Sequence, residues 1–116
     1  MDYDHNAPTV QHLKQTHEPF YQRIRVQNPD IPILLLTRPN FAHTEDAKDR
    51  RIVIEQTYKN AVRSGDKNIY YIDGETFFAG EDGQLCTVDM THPNDLGMYR
   101  MAKTILPVMK KMLNIV

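Results

Sequence analysis

A parallel α/β sheet with helices packed on it is the fold class this sequence predicts. Three observations carry that reading. Residues 31–37 are a continuous apolar run centred on Ile33, Leu34, Leu35 and Leu36, and a run that does not alternate suits a strand covered on both faces. Residues 68–73, with Ile69, Tyr70, Tyr71 and Ile72, read as the next strand. The segments between and after them place apolar residues at helical spacing, and strands separated by helices pair in parallel through right-handed crossovers.

The elements follow in order. Residues 1–3 are short and read as the end of a strand, with Asp4, His5, Asn6, Ala7 and Pro8 as a polar loop. Residues 9–13 suit one helical turn. Thr16 is a plausible cap for a helix with Glu18 and Pro19 in its first turn, and Phe20, Tyr21 and Ile24 as its apolar face. Asn28, Pro29 and Asp30 end it. After the first apolar run, Arg38, Pro39 and Asn40 break the strand. Residues 45–64 read as a helix capped by Thr44 and stopped by Gly65, with Ile54, Tyr58, Ala61 and Val62 on one face. Beyond the second run, Gly74 and Glu75 turn the chain into a loop. A last helix spans about residues 95–113, with Leu96, Tyr99, Ala102, Leu106, Met109 and Leu113 as its core face and Pro107 as a kink. Met98, Met101, Met109 and Met112 read as core filling.

Composition narrows the function classes. With 116 residues there is room for one domain. A net charge of −1 gives no pull toward nucleic acid or a membrane surface. The single cysteine, Cys86, excludes an internal disulfide and a cysteine-based zinc site. His12 and His17 are five apart, which does not put both on one helical face, and both read as surface residues. His5 and His43 lack acidic or thiol partners at ligand spacing, so neither metal nor cofactor is expected. No apolar run reaches membrane-spanning length, and the first residues are too polar for a signal peptide. The expectation is a cytoplasmic chain, or one whose true start lies upstream and whose full-length form could be exported.

In an open parallel sheet, ligands sit beyond the carboxyl ends of the strands, and the polar residues collect there. Asp4, His5 and Asn6 follow the first strand, Arg38 and Asn40 the second, and Asp73 and Glu75 the third. Asp89 and His92 lie in the loop before the last helix. A carboxylate three residues before a histidine on a tight turn can bond Nδ1–H, fix the tautomer and leave Nε2 as a general base. The plain alternative is a solvated turn that caps a helix. For Asn6 the plain alternative is a loop asparagine bonding its own backbone. Turn chemistry suffices for Asp73 and Glu75, and a surface ion pair suits Arg38.

The segment Asp89, Met90, Thr91, His92, Pro93, followed by Asn94, Asp95, Leu96, Gly97 and a closing helix, resembles the last block of the SGNH (GDSL-type) esterases and acylhydrolases. The resemblance implies a three-layer α/β/α flavodoxin-like fold, represented here by its C-terminal parallel strands and helices. It implies a serine nucleophile supported by Asp89 and His92, with Asn6 at the place of the family's oxyanion asparagine. Around Asn6 the family's glycine and second acid are absent. The serine block and glycine block would lie before Met1, and Ser64 is in the wrong place to replace them. The functional expectation is therefore part of a serine esterase acting on small-molecule or carbohydrate esters, with catalytic residues His92, Asp89 and Asn6. The alternative is a catalytically inactive α/β binding module or a truncated reading frame. A bare sheet edge at residues 1–3 and an uncovered Leu106, Met109 and Leu113 face imply a homo-oligomer.

Overall fold

The computed structural model describes residues 1–39 and 44–115; the readings of Asn40 and His43 lie outside the described residues. Helix α1 spans Val10–Gln27, strand β1 Ile33–Leu36, helix α2 Ala47–Arg63, strand β2 Ile69–Ile72 and helix α3 Asp95–Met112. Two 3-10 turns, Gly74–Thr76 and Gly83–Cys86, lie between β2 and α3.

The strands pair in parallel, with Ile33 opposite Ile69 and Leu36 opposite Ile72. Residues 1–3 flank β1 on its other side. The Met1 nitrogen donates to the Leu34 carbonyl, and the Leu36 amide donates to the Met1 carbonyl at 3.0 Å. That is the bonding of a parallel neighbour, but residues 1–3 are not themselves a strand: the sheet of the described residues has two strands, where the sequence predicts three.

Both faces of β1 are covered, as its unbroken apolar run requires. Ile33 and Leu35 join Leu13, Tyr21, Val53, Ile54, Ala61 and Ile69 in the core under α1 and α2. Leu34 and Leu36 point the other way, toward Ile72, Phe77, Phe78 and Cys86, where Met101, Ile105 and Val108 of α3 close the layer. The result is helix, sheet, helix.

Several local expectations are corrected. Helix α1 begins at Thr9, whose hydroxyl caps the His12 amide at 3.0 Å, and not at Thr16, whose hydroxyl bonds back to the His12 carbonyl at 2.8 Å. The helix continues through Pro19 because Pro19 and Gln15, whose carbonyl loses its helical donor, both lie on the solvent side. Phe20 is exposed and Tyr21 is buried. Asp46, not Thr44, occupies the N-cap position of helix α2, without a side-chain cap bond, and Val62 is exposed. On α3 the inward face is Gly97, Met101, Ile105 and Val108, while Leu96, Tyr99, Leu106, Met109 and Leu113 are exposed. Helix α3 thus carries two apolar stripes, and the sheet can cover only one.

His17 is the sharpest correction. It is fully buried, with Nδ1 at 2.8 Å from the Thr57 hydroxyl, and joins α1 to α2. Leu13, His17 and Tyr21 are spaced by four, so all three lie on the buried stripe. Burial penalises the charged imidazole and lowers its pKa to about 4. The unfolded chain, with an ordinary histidine near 6.5, binds that proton more readily. Stability is therefore complete above about pH 6.5 and falls as pH drops toward 4. We expect a loss on the order of 3 kcal/mol from this residue across that window, read as a shift in urea midpoint. His17→Asn, which cannot titrate, should flatten that part of the profile; an equal slope in the variant would refute the assignment.

Candidate active site

Three loops meet at the carboxyl end of the sheet. The first is the turn after residues 1–3. Asp4 is buried there, and its carboxylate accepts from the His5 amide and from the Arg38 amide, each at 2.8 Å. From α2, the buried Arg50 donates Nη1 to the carbonyls of Asp4, at 2.7 Å, and Ala7, at 2.8 Å, and pairs Nε with Asp46 at 2.7 Å. Those two carbonyls bracket Asn6, whose amide closes the turn on the Tyr3 carbonyl at 3.1 Å. Asn6 itself is exposed on this clamped turn.

The second loop follows β1. The Thr37 hydroxyl accepts from the Gly74 amide at 2.8 Å. A side chain at Gly74 would put Cβ 2.0 Å from the Thr37 carbonyl oxygen, so only glycine lets the ends of β1 and β2 approach this closely. Arg38 is 8% exposed and, among the described residues, forms no surface ion pair. Its guanidinium reaches the Thr44 hydroxyl (3.3 Å), His5 Nδ1 (3.3 Å) and the Thr91 hydroxyl (3.1 Å). Burial first, then the Arg38 and Arg50 charges against the opposing pull of Asp4, lower the His5 pKa. A neutral ring can accept the Arg38 proton at Nδ1.

The third loop carries Asp89 and His92. Asp89 Oδ2 lies 2.7 Å from His92 Nδ1, while Oδ1 accepts from the amides of His92 (2.7 Å) and Thr91 (3.0 Å). Both side chains are open to solvent, His92 at 74% and Asp89 at 51%. The backbone and ring bonds from His92 hold the Asp89 pKa down to about 2, so it is anionic wherever the protein works. The turn needs Met90 at φ 64°, a left-handed conformation that a non-glycine residue seldom adopts. The Val88 amide bonds the His92 carbonyl at 3.0 Å, and Thr87 and Pro93 form an antiparallel bridge that closes the loop.

The loop's base is built on the start of α3. Asn94 caps the helix by accepting from the Gly97 amide at 3.0 Å. It also donates from its side chain to the Leu85 carbonyl at 2.6 Å and from its backbone to the Cys86 carbonyl at 3.0 Å. Gly97 is pressed onto the same turn: a Cβ there would lie 2.1 Å from the Cys86 carbonyl oxygen. Cys86 is fully buried and bonds the Asp82 carbonyl, so it offers no exposed thiol. Asp73 caps the 3-10 turn through Glu75 and pairs with Arg51, which is turn chemistry. Among the described residues, no group of three His, Cys, Asp or Glu side chains is placed to hold a metal, and no helix is long and apolar enough to cross a membrane.

A model of the GDSL-like lipase/acylhydrolase family matches residues 1–110. The chain belongs to the GDSL-like lipase/acylhydrolase family. A solved structure from Bacteroides ovatus, described as a GDSL-like lipase, is 31% identical with a TM-score of 0.73, over 92% of this chain and 33% of that one. A salicylyl-acyltransferase from a tetracycline biosynthetic pathway is 22% identical with a TM-score of 0.72, over 95% of this chain and 35% of that one, and shows the shared fold alone. This chain spans about a third of the length of either. No curated protein matches it. The parallel strands with helices on both faces are thus the GDSL-like hydrolase fold.

Sequence reasoning identified the Asp89–His92 spacing but missed Asp4, Arg38 and Arg50 as the framework beneath it. The available signal was their place at strand ends and on the inner face of α2. Gly97 tests the seating of α3 on the turn at the loop's base. In an open helix position alanine would stabilise by about 1 kcal/mol. Here the contact with the Cys86 carbonyl should dominate, so Gly97→Ala should destabilise by roughly 1–3 kcal/mol. A raised midpoint in thermal or urea unfolding would show that α3 is not seated on that turn.

Proposed function

We propose that this chain supplies the acid–base half of a serine esterase or acylhydrolase, with His92 as general base, Asp89 as its orienting carboxylate and Asn6 as an oxyanion donor. The observation that carries the reading is the bidentate grip of Asp89 on His92. One oxygen bonds the backbone amide and the other the ring, so a neutral ring has its proton fixed on Nδ1. Nε2 is then the nitrogen left to take a proton.

The chemistry follows. Nε2 removes the proton of a seryl hydroxyl as its oxygen attacks the ester carbonyl. The Asp89 carboxylate stabilises the imidazolium, which then protonates the departing alcohol. Water repeats the sequence on the acyl-enzyme. The Asn6 amide donates to the tetrahedral oxyanion together with a backbone amide. Ser64 is not that nucleophile. It caps the far end of α2, just before β2 begins, at the opposite end of the sheet. The serine and the second oxyanion donor come from outside these residues, and the substrates are small-molecule or carbohydrate esters. Transfer of the acyl group to an acceptor other than water would use the same groups.

Two measurements test this. The 116-residue chain should hydrolyse p-nitrophenyl acetate no faster than free imidazole. Joined to a segment carrying the seryl nucleophile, it should hydrolyse short-chain esters at a rate that rises as the imidazole loses its proton. His92→Ala should then lower the rate by several orders of magnitude, and Asp89→Ala by less. Near-normal rates without His92 would remove it from the mechanism.

The outer stripe of α3 supports self-association. Leu106, Met109 and Leu113 are exposed beside Tyr99, and a contiguous apolar face of this kind marks an interaction surface. Sedimentation velocity at low micromolar concentration should show a dimer or larger species, whereas a single monomer boundary would argue against it.

A further inference from the structure

Arg38 has no part in proton transfer, yet it touches every loop of the candidate active site. We infer that Arg38 is the positioning residue for the His92 loop: its guanidinium ties Thr91, the residue before the base, to the turn that carries Asn6. The catalytic purpose of this tie rests on the reading of His92 as the base, but the tie itself can be tested without a substrate.

The need for such a tie follows from the loop's other bonds. Asp89 to the Thr91 and His92 amides, and Val88 to the His92 carbonyl, are all internal to the loop. They fix its shape but not its placement over the sheet. Asn94 anchors its base to residues 85 and 86. Residues 89 to 92, at the tip, are largely solvent-facing. Among the described residues, the hydrogen bond from that tip to the sheet layer is Arg38 Nη2 to Thr91 Oγ1 at 3.1 Å, across 53 residues of chain.

Arg38 is built for this. Its own backbone is held by the buried Asp4 carboxylate at 2.8 Å. Its Nη1 reaches His5, next to Asn6, and Thr44 before α2, while Nη2 reaches Thr91. A planar guanidinium presents diverging donors in a fixed fork, which a lysine ammonium on a flexible stem does not. The fork therefore couples the position of the base to that of the oxyanion turn. Misplacing a catalytic group by about 1 Å can lower rates on the order of a hundredfold.

The test uses the full isotopically labelled chain. Backbone amide order parameters for residues 90–92 and imidazole Cε1–H relaxation of His92 are measured in wild type, Thr91→Val, Thr91→Ser and Arg38→Lys. Thr91→Val removes the acceptor at nearly constant volume on an exposed residue. It should leave the thermal midpoint unchanged while the loop order parameters fall from about 0.85 to below about 0.6. Thr91→Ser keeps the hydroxyl and should restore wild-type values. Arg38→Lys should resemble Thr91→Val in the loop. Unchanged order in Thr91→Val, or equal disorder in Thr91→Ser, would overturn the inference. Failure of ester hydrolysis in the nucleophile-bearing protein would count against His92 as base and would not move these order parameters, so the two ideas fail separately.

Discussion

The burial of the Asp4 carboxylate is the constraint on which the carboxyl end of this sheet depends. A carboxylate out of water must be met by donors, and here they come from separate parts of the chain. Its own turn supplies the His5 amide, and the end of β1 supplies the Arg38 amide. Arg50 adds a buried cation from α2 and takes up the turn's carbonyls. The Asp4 carboxylate thus locks the Asn6 turn to the end of β1, and Arg50 ties the carbonyls of that turn to the inner face of α2. Glycine at position 74 lets β2 close against the same point.

From that base the candidate active site is assembled by short polar contacts. The Asp89–His92 loop stands open to solvent, and its geometry comes from donors gathered on one carboxylate. The same bonds explain the depressed Asp89 pKa. An anion that stays ionised at working pH holds the imidazole tautomer without competing for its proton. The left-handed Met90 is the local strain that this wrap requires.

The α/β class was legible because β1 is buried on both faces and its apolar run is unbroken, the pattern that a strand between two helical layers demands. The Asp89–His92 pair was legible because its partners lie three residues apart, so local geometry alone brings them together. What joins distant segments was not legible. Arg38 reads as a surface residue until the fold brings Thr91 to it. His17 reads the same way until its spacing with Leu13 and Tyr21 is set against α2, where Thr57 provides the hydroxyl that makes burial tolerable. Thr16 and Thr44 resembled helix caps because capping chemistry is local and recurs. Thr9 and Asp46 took those places once the helices had packed. On α3 the outer stripe looked like core because it is as apolar as the inner one; only the position of the sheet distinguishes them.

The proposed acid–base role depends on His92 being held with its ring proton on Nδ1, bonded to Asp89, and with Nε2 ready to accept a proton. Nitrogen-15 chemical shifts of the His92 ring in its neutral form test this most directly. The expected result is a pyrrole-like Nδ1 carrying a downfield proton, a pyridine-like Nε2, and loss of that preference in Asp89→Ala. A ring protonated on Nε2, or one averaging freely between tautomers in the wild-type chain, would contradict it.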